Sequence, residues 1–342
     1  MKTKSAVLYR INSPLVIEEI DIPPLQAGQA LVKVLASGIC RSQLNEISGF
    51  KGPDHHLPHL MGHEGSGIVI DVGPGVKKVK KKDYVVLSWI KGSGRDVSSS
   101  CYQKGSAVIN SGAIATFNEY AVIAENRLTK IPQDVPPDVA ALLGCAVPTG
   151  AGIVLNTLKV KKNSSLAVFG TGGIGASALL AAKMKNCHPL IALDVSDTKL
   201  QFAKRLGASH LMNLKEVSFG VAFKKIAADG VDYAIEASGT ASAMELAFEA
   251  IKNSGTAVIA GNLRHSEKIS LDPFGLIKGK KIIGTWGGGT DPDKDIPIYV
   301  RAYLKGEMPI QKLITHRFRL GDINAALRIL ESGQAGRIII EL

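Results

Sequence analysis

The chain has 342 residues, of which 45% are hydrophobic and 5% aromatic, and its formal net charge is +11. One hydrophobic core rarely grows past about 250–300 residues, so this length predicts two domains. No apolar run reaches the roughly 20 residues of a membrane span, and the charged N-terminus has no apolar signal segment. These features favour a cytoplasmic protein without a membrane partner.

The positive charge is densest in residues 77–82, Lys-Lys-Val-Lys-Lys-Lys. This run follows a Gly-Pro-Gly turn and precedes an apolar strand, which is typical of an exposed loop. No signature of a nucleic-acid-binding module accompanies it. We therefore expect a solvated basic turn and no nucleic-acid partner.

The first part of the chain is predicted to be rich in strands. β-Branched residues with partial alternation indicate strands at residues 6–9, 15–22, 30–36, 66–71, 84–87 and 117–124. One short helix is predicted at residues 42–47. His55, His56 and His59 lie in a polar stretch that we interpret as a solvated turn.

The pattern changes after Pro136-Pro137, where helical segments are expected from residue 139 to about 156. Strands then alternate with helices, which predicts a parallel, doubly wound sheet. The predicted strands are 166–169, 190–193, 233–236, 257–260 and 281–285. The predicted helices between them include 196–206 and 241–252, followed by helices 296–305 and 323–331 and a last strand at 337–341.

A glycine turn joins the strand at 166–169 to the next helix. Gly170, Gly172 and Gly175 have the spacing that lets the backbone approach a pyrophosphate at a helix N-terminus. Asp194 ends the following strand, where a ribose-binding carboxylate belongs. The alternative is a strand–helix turn that binds no nucleotide.

Three stretches carry side chains that suit zinc. They contain Cys40 in Gly-Ile-Cys-Arg-Ser, His63 in Met-Gly-His-Glu and Cys145 in Leu-Gly-Cys-Ala. Two thiols and an imidazole with an open fourth position are typical of catalytic zinc. The residues are distant in sequence, so buried cysteines without a ligand role remain an alternative.

Taken together, these motifs resemble the zinc-dependent medium-chain alcohol dehydrogenases over nearly the whole chain. The motifs are residues 38–42, 62–67, 71–75, the glycine turn, 143–145, 313–317 and Arg337. The resemblance implies an α/β protein in which a GroES-like, β-rich catalytic domain is interrupted in sequence by a Rossmann domain. The expected limits are 1–146 with 287–342 for the first and 147–286 for the second.

The resemblance also implies the residues of the site. Cys40, His63 and Cys145 would bind the catalytic zinc, and Glu64 would lie behind them or serve as an alternate ligand. The expected cofactor contacts are Arg41 and Arg337 at the pyrophosphate, Thr149 and Ile174 at the nicotinamide, and Gly170, Gly172, Gly173, Gly175, Asp194 and Lys199 elsewhere. The expected substrate-cleft residues are Ser42, Trp89 and Phe117, although the two aromatics could be ordinary core residues.

The implied chemistry is hydride transfer. Zinc lowers the pKa of a bound alcohol so that an alkoxide forms near neutral pH, and hydride passes from it to the nicotinamide. Ser42 is placed to take the alcohol proton, and it could also be a helix N-cap. The acid Asp194 favours NAD over NADP, since Lys199 is the only base close by.

Three positions depart from the family. Many members bind a structural zinc ion through four cysteines in the region of residues 89–102, and Cys101 is the only cysteine here. We therefore expect one catalytic zinc ion and no structural zinc ion. Gln43 replaces an Asp that orients the zinc-bound His; its carbonyl could accept the same N–H without charge. Asn45 replaces a His and cannot titrate.

The sequence therefore predicts an NAD- and zinc-dependent dehydrogenase for a primary or secondary alcohol and its aldehyde or ketone. A zinc-free quinone or enoyl reductase of the same superfamily and a non-enzymatic basic binding protein are the alternatives. By resemblance we expect a homodimer or homotetramer that pairs near residues 281–286.

Overall fold

The structure is a computed structural model, and it describes residues 1–50, 52–264 and 266–342. The chain divides into two compact units. Unit 1 comprises Met1–Cys145, Asp291–Gly306 and Ile314–Leu342, and unit 2 comprises Ala146–Thr290 and Glu307–Leu313. The change of unit after Cys145 lies beside the domain limit expected at residue 146, whereas residues 307–313 were expected in the other domain.

Strands dominate the first segment of unit 1. The strands in the described part of this segment are β1 Lys2–Leu8, β2 Val16–Asp21, β3 Gln29–Ile39, β4 His59–Leu60, β5 Glu64–Val72, β6 Tyr84–Ser88, β7 Cys101–Lys104, β8 Ala107–Asn110, β9 Tyr120–Ala124 and β10 Leu128–Lys130. The described residues of this segment also form two α-helices, α1 Arg41–Ile47 and α2 Pro137–Leu142. Strands β1, β2, β7, β8 and β4 close into a small barrel.

Unit 2 alternates strands and helices. Its helices are α3 Ala146–Gly152, α4 Gly173–Met184, α5 Asp197–Leu206, α6 Phe219–Lys224, α7 Ala241–Ala250 and α8 Pro273–Ile277. Its strands are β11 Leu166–Phe169, β12 Leu190–Asp194, β13 His210–Asn213, β14 Val231–Glu236, β15 Ile251–Ile259 and β16 Lys281–Gly284. Every neighbouring pair is parallel in the order β13-β12-β11-β14-β15-β16. This is the order of a dinucleotide-binding Rossmann sheet, so the predicted fold class is confirmed.

The C-terminal segments complete unit 1. They contain α9 Pro292–Leu304, β17 Ile314–Arg319, α10 Ile323–Glu331 and β18 Arg337–Glu341. Strand β18 pairs with β3, so the end of the chain joins the larger sheet of order β10-β6-β5-β3-β18-β17, with β9 also on β3. No helix in the described ranges is both long and apolar enough to cross a membrane.

The predicted boundary between the helix at 241–252 and the strand at 257–260 is wrong. The helix expected at 241–252 ends at Ala250, because Ile251 pairs with Val231 of β14 and begins strand β15. The apolar periodicity of α7 continues into β15, so the sequence pattern does not show where the helix ends. Pairing with β14 sets that boundary.

The segment between β6 and β7 is held by a buried carboxylate. Glu125 is 4% exposed, and its Oε2 accepts the backbone N–H groups of Lys77 at 2.8 Å and Lys78 at 3.0 Å. Its Oε1 accepts the N–H of Arg95 at 2.9 Å. Asp293 of α9 accepts the N–H of Ser93 at 2.6 Å and pairs with the Lys78 ammonium. Glu125 and Asp293 therefore fix the basic turn at 77–82 and the segment between β6 and β7.

These bonds also set the charge state of Glu125. Burial raises the pKa of Glu125, but the three backbone N–H groups and the charge of Lys78 lower it by more, so the pKa lies below its usual range. A carboxylate that accepts several backbone N–H bonds is stabilised in its charged form. Its contribution to folding is therefore present above the unfolded-state pKa of about 4.3 and is lost as the pH falls through the folded-state pKa.

Replacing Glu125 by Gln should lower the free energy of unfolding by about 1–3 kcal/mol at neutral pH, because an amide cannot accept on both sides. Urea denaturation measures the difference. Glu307→Gln, at an exposed position, is the matched control and should stay within about 0.5 kcal/mol of wild type. The wild-type and E125Q curves should converge in acid, and a gap that persists there would contradict the argument.

Candidate functional site

The pairing of β3 with β5 brings two distant residues together. Ser37 of β3 lies opposite Gly65 of β5 in an antiparallel register. Cys40 comes three residues after Ser37, and His63 comes two residues before Gly65, so both leave the sheet at the same edge. The register alone therefore places the thiol beside the imidazole.

Cys145 lies close to the ends of β3 and β5 because the residue before it, Gly144, can pack tightly against β6. The carbonyl of Gly144 accepts a 2.8 Å hydrogen bond from the hydroxyl of Ser88, the residue paired with Glu64 in β5 and β6. A Cβ at Gly144 would lie 2.3 Å from the carbonyl oxygen of Leu87, so only glycine allows this approach. Cys145 follows directly and is 7% exposed.

The ligand atoms of Cys40, His63 and Cys145 all lie within 4.8 Å of one another. Hydrogen bonding from Cys145 holds the pKa of Cys40 well below the usual thiol range. Burial of Cys40 opposes this shift, while the hydrogen bond from His63 and the charges of His63 and Arg337 add to it. Two cysteine thiols, one with a lowered pKa, and an imidazole at this separation form a donor set that zinc prefers.

A buried ion pair lies behind these ligands. The Glu64 carboxylate is fully buried and pairs with the Arg337 guanidinium, which is 4% exposed. Arg337 precedes Ile338, which pairs with Ile39 of β3, so it also stands next to Cys40. Gly38 leaves the room for this pair, because a Cβ there would lie 2.3 Å from Oε1 of Glu64.

Ser42 lies in the first turn of helix α1, two residues after Cys40. The oxygen of the Ser42 hydroxyl is buried, and it has no hydrogen-bond partner among the described residues. The helix begins after Cys40, so Ser42 is inside the first turn and is not the N-cap. A buried hydroxyl without a partner is costly, and this one is available to a ligand. Arg41, at the start of the same helix, is exposed.

The two aromatic residues expected in a substrate cleft differ in exposure. Phe117 is fully buried in a hydrophobic cluster with Met61 and Leu8. Its packing matches that of an ordinary core aromatic. Trp89 is half-buried, and its carbonyl accepts a hydrogen bond from Arg127.

In unit 2, the glycine turn connects β11 to α4. Gly170 has φ +85°, and a Cβ there would lie 2.7 Å from the backbone nitrogen of Ser238. A Cβ at Gly175 would lie 2.0 Å from the carbonyl oxygen of Gly170, so α4 packs closely on the strand. Gly172, the N-cap of α4, faces open space. The turn thus presents a helix N-terminus that an anionic group can approach.

Asp194, at the end of β12, is 7% exposed and strongly hydrogen-bonded. Its Oδ2 accepts the Thr171 N–H at 2.8 Å and the Thr171 hydroxyl at 3.0 Å. Its Oδ1 accepts the N–H groups of Val195 and Ser196. The carboxylate therefore ties the glycine turn to the end of β12. This structural role was not predicted from the sequence.

The other expected cofactor residues of unit 2 lie on its helices. Gly173 and Ile174 form the first turn of α4, and Lys199 is half-buried in α5. Thr149 is in α3, where its hydroxyl oxygen is buried without a hydrogen-bond partner in the described chain.

Two family profiles match the chain. The profile described as "Alcohol dehydrogenase GroES-like domain" matches residues 26–133, and that described as "Zinc-binding dehydrogenase" matches residues 173–303. An S-(hydroxymethyl)glutathione dehydrogenase from Synechocystis sp. is 33% identical over 368 aligned residues, which cover 99% of this chain and 100% of that protein. The chain belongs to the zinc-dependent medium-chain alcohol dehydrogenases.

Solved structures show the same relationship. A benzyl alcohol dehydrogenase from Acinetobacter calcoaceticus is 31% identical with a TM-score of 0.91, covering 100% of this chain and 99% of that one. An alcohol dehydrogenase zinc-binding domain protein from Burkholderia ambifaria is 30% identical with a TM-score of 0.93 and the same coverage. The family predicted from the motifs is therefore confirmed.

Gln43 of this dehydrogenase contacts His63 differently from the sequence prediction. Its Oε1 accepts the backbone N–H of Cys40 at 2.7 Å, so its amide nitrogen is the atom 2.5 Å from Nδ1 of His63. A backbone N–H can only donate, which fixes this orientation of the amide. The prediction that the Gln43 carbonyl accepts from His63 is therefore wrong.

Gln43→Glu should strengthen zinc binding by about tenfold or more. A metal-bound His usually donates its other ring N–H to an acceptor, and a carboxylate would offer one oxygen to His63 and the other to Cys40. Competition with a chromophoric chelator measures the affinity. Gln43→Ala should bind zinc more weakly than wild type, and equal affinity of Q43E and wild type would argue against the amide orientation.

Proposed function

We propose that the protein reversibly oxidises a primary or secondary alcohol to an aldehyde or ketone, with one catalytic zinc ion per chain and NAD as the hydride acceptor. The ligand group of Cys40, His63 and Cys145, with its thiolate, supports this proposal most strongly. It also disfavours the two alternatives considered from the sequence, since neither a zinc-free reductase nor a basic binding protein needs such a group.

The chemistry divides between the bound groups and the side chains. Zinc lowers the pKa of a bound hydroxyl and polarises a carbonyl, and the nicotinamide carries the hydride. The chain supplies the Ser42 hydroxyl, which accepts the alcohol proton and has no competing partner among the described residues. As Ser42 takes the alcohol proton it releases its own hydroxyl proton, and because Asn45 cannot titrate, water or another group receives that proton.

Glu64 supports the ligands in this proposal without binding the metal. Its carboxylate is paired with Arg337 in a site from which water is excluded. Breaking a buried ion pair leaves an uncompensated charge and costs about 3–5 kcal/mol. The charge of Arg337 in turn lowers the pKa of Cys40. These two interactions account for the buried position of Arg337 without a contact to a pyrophosphate.

The glycine turn and Asp194 support NAD as the cofactor. The open face of Gly172 at the start of α4 suits a pyrophosphate. Asp194 adds a negative charge at the end of β12, where a ribose 2′-hydroxyl is accepted and a 2′-phosphate is repelled.

A homo-oligomer is proposed through the edge of the Rossmann sheet. Strand β16 is the last strand of the sheet and pairs on one side with β15. Trp286 beside it is 80% exposed, and Ile277 is 78% exposed. Exposed apolar residues next to a sheet edge favour association with a second copy.

Zinc stoichiometry and activity test the proposed function together. Elemental mass spectrometry should find one zinc ion fewer per chain in the Cys40→Ser/Cys145→Ser variant than in wild type. Its NAD-dependent oxidation of alcohols should fall by about a hundredfold or more, because Lewis-acid catalysis is worth several kcal/mol. Cys101→Ser is the control and should change neither value. Equal zinc content and activity in all three proteins would exclude the proposal.

Cofactor choice can be tested without disturbing Asp194, whose hydrogen bonds hold the glycine turn. Val195 is 52% exposed and follows this carboxylate. Val195→Arg should raise kcat/KM with NADP at least about tenfold relative to NAD, since a guanidinium suits the 2′-phosphate. Val195→Ala is the control, and an unchanged ratio in V195R would mean that the ribose binds elsewhere.

A further inference from the structure

Unit 1 contains a second group of metal-ligating side chains. Glu46 of α1, Asp54 and His59 of β4 have ligand atoms within 4.8 Å of one another. None of the three belongs to the Cys40–His63–Cys145 group. The polar turn expected around His59 is therefore partly wrong, because His59 itself is only 5% exposed.

The hydrogen bonds of His59 fix the roles of its two ring nitrogens. Nδ1 lies 2.9 Å from the carbonyl oxygen of Leu60, which can only accept, so Nδ1 carries a hydrogen. Nε2 is then the atom that faces Oδ2 of Asp54 at 2.9 Å and Oε1 of Glu46 at 3.8 Å. In neutral histidine this Nε2 would be a lone-pair atom.

The opposing groups are acceptors as well. Burial raises the pKa of Asp54, but the backbone N–H of His56 and the hydrogen bond and positive charge of a cationic His59 lower it by more, which is the effect expected of a cation at Nε2. A neutral imidazole nitrogen and a carboxylate oxygen repel each other at hydrogen-bonding distance. A cation must therefore lie between them, either a proton on Nε2 or a metal ion.

Three features of the geometry suit a metal ion. A metal-binding His usually donates its other ring N–H to a carbonyl or carboxylate, as Nδ1 of His59 does. The backbone N–H of His56 fixes the second oxygen of Asp54 at 2.9 Å, which orients the carboxylate. A cavity of about 380 Å³ borders all three side chains and also reaches Gln43 and His63, which leaves room for water ligands.

We propose that Glu46, Asp54 and His59 bind a divalent transition-metal ion of the class of Mn²⁺. One imidazole with two carboxylates and water favours such an ion over one that requires thiolates. Because the ligands come from α1, β4 and the segment between them, the ion would fasten α1 to the barrel. It would hold in place the helix that carries Ser42 and Gln43.

The test is a Mn²⁺ titration of the zinc-loaded enzyme, followed by the electron paramagnetic resonance of free Mn²⁺. Zinc fills the thiolate site and is not displaced by Mn²⁺, which binds more weakly to such ligands. Wild type should bind one Mn²⁺ per chain. Asp54→Asn and Glu46→Gln should each raise the Kd at least about tenfold. Glu19→Gln, at an exposed position of β2, should leave it unchanged.

Either of two results would overturn the proposal. One is that wild type binds Mn²⁺ no better than D54N and E46Q. The other is a ¹⁵N spectrum in which both ring nitrogens of His59 carry hydrogens and do not respond to Mn²⁺, which would show a buried imidazolium between the acids. Glu46 is 43% exposed, so E46Q keeps the test valid if D54N fails to fold. Alcohol oxidation is measured separately and depends on the cysteines.

Discussion

The candidate zinc-binding group of Cys40, His63 and Cys145 depends on the pairing of β3 with β5. In an antiparallel pair, a slip of one residue turns every side chain to the opposite face of the sheet. Cys40 and His63 extend from this pair just beyond its last hydrogen-bonded residues, so their meeting is a consequence of the register between Ser37 and Gly65. The bulges within the same pair, between Leu31 and Val32 and between Val34 and Ala36, set that register.

A buried ion pair then acts on the cysteine that this register positions. The pair of Glu64 and Arg337 occupies the space that Gly38 leaves open, and it places a positive charge beside the Cys40 thiolate. Glu64 lies on β5 and Arg337 on β18, so the sheet brings together two residues that are about 270 positions apart in the sequence. The C-terminal segment therefore contributes a residue, Arg337, to the surroundings of the candidate metal ligands.

Much of this architecture could be predicted from the sequence because its signals are local. The strand–glycine–helix pattern around Gly170 and the alternation after it predicted the Rossmann sheet, and the motifs around Cys40 and His63 predicted the family. The short strands β4, β7 and β8 have only two to four residues each and too little periodicity to detect. Nearby backbone groups decided two side-chain orientations: the N–H of Cys40 orients the Gln43 amide, and the carbonyl of Leu60 orients the His59 ring.

The carboxylate of Glu125 has a wider consequence for how the protein matures. It organises the segment around Lys77, Lys78 and Arg95 with bonds that the chain itself provides. A segment that is held by cysteine thiolates and a structural metal ion folds only when the ion is bound. In this protein the segment around Lys77, Lys78 and Arg95 can fold without a metal ion, and zinc can bind to the enzyme after this segment has folded.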